Sequence, residues 1–135
     1  MHANKIHSHP DFASDKERAQ LAKMLLKLFE HWKLDTGSQL MLLGLSITSR
    51  AMLSRYRQGT TPLPFSQDVL DRAGWLLAIH QALRSLYSGN PELCYSWVKL
   101  HNAAFHHHAP LDYMKEHGLI GIAKVARFLQ SELVR

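Results

Sequence analysis

Five histidines crowd one short stretch of this chain: His101, His106, His107, His108 and His117. Imidazole is a standard zinc ligand, but zinc needs three or four ligands converging at fixed geometry. The run His106–His108 cannot supply that, because side chains of consecutive loop residues diverge. No cysteine pair, H-E-x-x-H motif or set of Asp and Glu partners accompanies it. We therefore expect incidental metal affinity, no built metal site and no cofactor. The single cysteine, Cys94, lies beside Leu93, Tyr95 and Trp97, a setting that favours an inert thiol over a nucleophilic thiolate. Nucleophile-elbow, P-loop and Gly-rich dinucleotide fingerprints are all missing. The expectation is a protein that binds rather than an enzyme.

The second chemical signal is arginine. Between Thr36 and Gln67 there is no Asp, Glu or Lys, and the only charges are Arg50, Arg55 and Arg57. Guanidinium suits both phosphate clamping and bidentate contact with guanine. The whole chain carries a formal charge of +5, which favours an acidic partner such as nucleic acid. Ser49, Arg50, Ser54, Arg55 and Arg57 are the candidate DNA-binding residues. An arginine-bearing surface helix that never meets DNA is the competing reading of the same pattern.

These residues need elements to hold them. Residues 1–13, with His2, His7 and His9, read as a flexible N-terminal arm. Residues 14–65 read as a helix-turn-helix region. Ser14 and Glu17 have capping-box spacing and open a helix that ends near Lys33, with Leu21, Leu25, Leu28, Phe29 and Trp32 on its inner face. Thr36 and Gln39 suggest a second capping box, opening a short helix from Gly37 to Leu43 that stops at Gly44. A third helix is predicted from Thr48 to Arg57, stopping at Gly59. The connector Thr60–Phe65 holds two prolines. Phe65 and Leu70 are spaced as a hydrophobic staple around a cap at Ser66.

Residues 66–89 read as one long central helix, apolar on more than one side through Leu70, Ala73, Trp75, Leu76, Leu77 and Ile79. Such a helix is central or lies at an interface, and this one is a candidate dimer seam. Residues 90–135 read as three short helices. Asn90 caps the first, Pro110 opens the second and Gly118 ends it, and Leu119 begins the third. The fold class expected is all-α, a small helical bundle of about seven helices with a helix-turn-helix and a following three-helix module.

The order Trp97, Asn102, Phe105, Pro110-Leu111, Gly118, Gly121, Val125, Leu129 resembles the toxin-binding domain of the Xre/MbcA/ParS-type antitoxins. Upstream, Leu43-Gly44-Leu45-Ser46 and Met52 to Gly59 resemble that family's helix-turn-helix, and Ile79 to Leu83 its central helix. The resemblance runs from about Gln20 to Leu133. It implies a type II antitoxin whose C-terminal region blocks the active site of a RES-domain, NAD-degrading toxin, and which represses its own operon by binding operator DNA. His106-His107-His108-Ala109 stands where the family has a small-residue turn.

On the last helix, Ile122, Val125, Ala126 and Leu129 form an inward stripe. Lys124, Arg127, Gln130, Ser131 and Arg135 stay available and are the candidate toxin-binding residues. The partners expected are a RES-domain toxin, operator DNA and a second copy of this chain, because one small helix-turn-helix makes too few phosphate contacts alone. With one cysteine, no secretory signal and no apolar run near the roughly 20 residues that span a bilayer, the expected setting is the cytoplasm, with no membrane. The runner-up is a stand-alone helix-turn-helix transcriptional regulator whose C-terminal module serves oligomerisation.

Overall fold

In a computed structural model of the chain, residues 14–135 are described, so the expected N-terminal arm lies outside the described residues. Helix α1 (Asp15–His31) starts where Ser14 Oγ accepts the Glu17 backbone N–H at 3.0 Å. Arg18 is buried on this helix. Its Nε donates to the Leu63 carbonyl at 2.8 Å and its Nη2 pairs with Asp15 at 2.9 Å, which ties the proline-containing connector down onto α1. The Arg18 guanidinium also lies over the Phe65 ring. Phe65 is therefore 73% exposed and does not staple to buried Leu70 as its spacing predicts. A cation over its ring holds it on the outside instead.

Helix α2 (Thr36–Leu43) differs from expectation at its start. Its N-cap is Asp35, which accepts the Ser38 N–H at 2.7 Å, and Thr36 is the first helical residue. A carboxylate at the positive end of the helix satisfies an orphan donor and complements the dipole. Gln39 reaches back, but to the Leu34 carbonyl at 3.0 Å rather than to the cap. Helix α2 ends at Gly44, in the left-handed region with φ 75°.

The next element starts as a 3-10 helix (Ile47–Met52) and becomes α-helical only as α3 (Leu53–Gln58), which ends on left-handed Gly59. A single α-helix from Thr48 to Arg57 was the expectation. The opening sequence explains the tighter winding. Ile47 and Thr48 are β-branched, and Ser46 makes no cap to the backbone while its hydroxyl engages that of Thr48. Leu53 and Tyr56 supply the buried face.

Helix α4 (Gln67–Leu86) is capped by Ser66 and runs through the middle of the molecule. Its Val69, Leu70, Ala73, Leu76, Ile79, Ala82 and Leu83 are buried. It packs most extensively on α6 and also meets α1, α2 and α5. Much of the apolar surface that suggested a dimer seam is thus used within one chain. Trp75, Leu77 and Ala78 stay partly uncovered.

Helix α5 (Pro91–Ser96) is capped by Asn90, whose Oδ1 accepts the Leu93 N–H. Two short 3-10 turns, Trp97–Lys99 and Ala103–Phe105, lead to α6 (Pro110–Leu133). Helix α6 is interrupted at Gly118, with φ 61° and ψ −140°, so two helical arms meet there as the glycine predicted. The second arm buries Ile122, Val125, Ala126 and Leu129. One continuous core joins α1 through α6, and the described residues contain six α-helices and no strand.

Candidate nucleic-acid and partner surfaces

The described helix-turn-helix is α2, the Gly44 turn and the composite element from Ile47 to Gln58. Arg72 of α4 locks the turn from behind. Its Nη1 donates to the Met41 carbonyl at 3.0 Å and its Nε pairs with Asp68 at 3.0 Å. The Met41 carbonyl, which already accepts the Gly44 N–H at 3.1 Å, thereby gains a second, cationic donor at the C-terminal end of α2.

Of the five candidate DNA-binding residues, Arg50, Ser54 and Arg55 are exposed on the outer side of the second element. None of the three arginines pairs with a carboxylate among the described residues. Arg55 Nη1 makes only a weak 3.8 Å contact to the sulfur of Met52. Ser49 is half-buried, because it lies four residues before Leu53 and shares its inward side. Arg57 is exposed but turns elsewhere. It lines a shallow groove with Leu26, Glu30, Lys33, Leu34 and Gln39, on the flank where α3 meets α1 and α2. The structure thus groups Arg50, Ser54 and Arg55 and sets Arg57 to one side.

Two features of the site were harder to see from sequence. Asp35, the α2 cap, is held below its ordinary carboxylate pKa, first by the backbone hydrogen bond from Ser38 and then by the Ser38 hydroxyl. Arg72 could have been found from its i, i+4 spacing to Asp68, but its reach to Met41 depends on tertiary packing.

At the other end, Lys124, Arg127 and Ser131 recur every three or four residues and share the outward face of α6, opposite Ile122, Val125 and Leu129, and Arg135 follows beyond the helix end. Gln130 lies at the flank of that face. Arg127 stacks over the Trp75 ring at 5.6 Å, and Arg135 pairs with Glu132 at 2.8 Å. The Ser131 hydroxyl donates to the Phe128 carbonyl at 2.6 Å. Lys124 and Gln130 make no side-chain hydrogen bond or ion pair among the described residues.

The histidine run forms a tight loop. His106 and His107 both have positive φ, and Asn102 organises the turn by accepting the Ala104 N–H on its side chain and the Phe105 and His107 N–H groups on its carbonyl. The His117 ring packs at a tilt on Tyr113, with 4.4 Å between the ring centroids. Among the described residues no group of three or more His, Cys, Asp or Glu side chains is placed to hold a metal. Cys94 is buried, and burial raises its thiol pKa. No helix of the described residues is long and apolar enough to cross a membrane.

Residues 12–78 match the antitoxin Xre-like helix-turn-helix domain. No curated protein matches the chain. The Xre-like domain takes in α1, α2, α3 and the first part of α4, through Ala78. The second element of its helix-turn-helix carries Arg50, Ser54 and Arg55, and Arg72, inside the matched span, closes the turn.

Proposed function

We propose that this chain is an antitoxin-type regulator that acts by binding: it docks on operator DNA through its Xre-like domain and blocks a RES-domain toxin through the outer face of α6. One observation carries the first half. The domain match coincides with an exposed element whose arginines have no carboxylate partner. Cations without internal partners on a helix-turn-helix are ready to release counterions from phosphate. The second half rests on the likeness of Asn90–Arg135 to the antitoxins' toxin-binding module. It is supported by the polar outward face Lys124, Arg127 and Ser131 on a helix anchored by four buried side chains, with Arg135 just beyond its end. A homodimer belongs to this reading, since paired half-sites multiply the few contacts one element makes.

The test is co-expression of the full chain with a RES-domain protein encoded beside it, followed by affinity purification and growth rescue. Co-purification with rescue, together with binding of the chain to its own promoter duplex, supports the proposal. Promoter binding without any rescue would leave a stand-alone regulator and remove the antitoxin role.

A further inference from the structure

We infer that the outer ridge of α1 forms a second DNA-contacting wall, in which Lys16, Gln20 and Lys23 seat a phosphodiester strand beside the recognition element. This rests on the DNA-binding reading of the Xre-like domain and extends it to residues the helix-turn-helix pattern does not single out.

The geometry is as follows. Lys16, Gln20, Lys23 and Lys27 follow one another every three or four residues, so they form one straight row on the solvent side of α1. Eleven residues of α-helix separate the ends of the row by about 16 Å, enough to pass several phosphates of one strand at roughly 3.4 Å of duplex axis each. The row abuts the recognition element directly. A cleft of about 310 Å³ is lined by Lys16, Ala19, Gln20 and Lys23 from α1 and by Gln58 and Gly59 from the end of α3. The Lys23 stem passes so close to Gly59 that a Cβ there would meet its Cδ at 3.2 Å. Glycine at this position therefore lets the lysine lie across the end of α3, on the side of Gln58.

Charge selects the occupant. The cleft holds two ammonium groups and two carboxamides, and no carboxylate lines it. None of Lys16, Lys23 and Lys27 pairs with an acidic group among the described residues. Two acids flank Lys16 in sequence: Asp15 is engaged by Arg18, and Glu17 does not line the cleft. Glu30 follows on the same side of α1 but lines the separate groove with Lys33 and Arg57, beyond the lysines. A cleft of cations and carboxamides that holds no carboxylate, continuous with a helix-turn-helix, fits a phosphate backbone. It would bring no base specificity, only register and affinity.

The experiment measures binding of the full chain to a fluorescent 30-base-pair duplex of mixed sequence over a potassium chloride series, for wild type, Lys16→Ala/Lys23→Ala and the charge-matched control Arg84→Ala/Lys115→Ala. Circular dichroism confirms that each variant stays helical. We expect the first variant to lose about two units of the slope of log affinity against log salt, roughly one per phosphate contact, and the control to keep the wild-type slope. Equal losses in both variants would show that only net charge matters and would overturn the inference. An unchanged slope in Lys16→Ala/Lys23→Ala, while the wild type binds, overturns it as well. A wild-type chain that ignores duplex overturns the DNA-binding reading itself, which is a different failure.

Discussion

The Arg72 guanidinium occupies the space that a side chain at Gly44 would need: a Cβ built there would lie 2.6 Å from Arg72 Nε. The same guanidinium comes within 3.4 Å of a Cβ built at Gly118, the break in α6. One side chain of the central helix thus fills a gap left by two glycines, one in the helix-turn-helix turn and one in the C-terminal arm. Both glycines have positive φ, so each is required for backbone shape, and Gly44 is required for space as well.

That relationship predicts non-additive mutations. Gly44→Ala forces a left-handed alanine and displaces Arg72 from Met41, and should cost about 2–3 kcal/mol. Arg72→Ala leaves the Met41 carbonyl with only the Gly44 N–H and removes the pair with Asp68, and should cost about 1 kcal/mol. In the double variant the collision with Arg72 is gone and only the one with the Asp68 carboxylate remains, so the total should fall short of the sum by about 1 kcal/mol. Chemical denaturation of the four proteins checks this, and simple additivity would mean that the two residues do not share the site.

The Asp35 cap predicts a specific acid sensitivity. Its folded pKa lies below the ordinary value of 3.8, so the unfolded chain takes up this proton first as pH falls. The stabilisation it gives is complete above that value and fades as pH drops through the folded pKa. Asp35→Asn keeps a good cap but removes the titrating charge. Thermal melts at pH 6 and at pH 3 should show the wild type losing more melting temperature than Asp35→Asn. Parallel losses would mean that the carboxylate adds nothing the amide lacks.

The helix periods were plain in the sequence because they rest on local rules. Ser14, Ser66 and Asn90 cap as their side chains demand, and Gly44, Gly59 and Gly118 take the left-handed turns that favour glycine. The misreadings came where two local devices competed or where a distant group intervened. Asp35 and Thr36 are adjacent cap formers, and the carboxylate took the cap. Phe65 had a staple partner at the right spacing, but buried Arg18 offered it a cation from a helix almost fifty residues earlier. The surroundings of Arg57 were equally hidden. The two-residue spacing already turns it away from Arg55, but the neighbours it meets are set by how α3 packs on the rest of the domain, which no spacing within α3 encodes.

Arg55 and Arg57 should therefore separate in DNA binding although they are two residues apart. Arg55 stands on the outer side with Arg50 and Ser54, whereas Arg57 lines the flanking groove with Glu30 and Gln39. Arg55→Ala should weaken promoter binding markedly and lower the salt slope by about one unit. Arg57→Ala should leave the slope within a few tenths of wild type. Fluorescence anisotropy with the promoter duplex at three salt concentrations decides it, and the reverse ranking would place the DNA on the groove side of α3.

The C-terminal arm offers a clean truncation for testing neutralisation. Leu129 is the last buried side chain, at 1% exposure, whereas Leu133 and Val134 are 43% and 85% exposed. Deleting Gln130–Arg135 removes the Arg135–Glu132 pair and the Ser131 bond to Phe128, but no fully buried group. Surface ion pairs of this kind contribute little, so the loss of stability should be about 1 kcal/mol or less. The truncated chain should therefore remain folded and bind promoter duplex like the full chain, yet fail to rescue growth against the proposed RES-domain toxin. Lys124→Ala/Arg127→Ala, which also removes the cation over Trp75, should weaken rescue in the intact chain. Full rescue by the truncated protein would move the toxin contact away from the end of α6, onto its more N-terminal outer face or the His106–His108 loop.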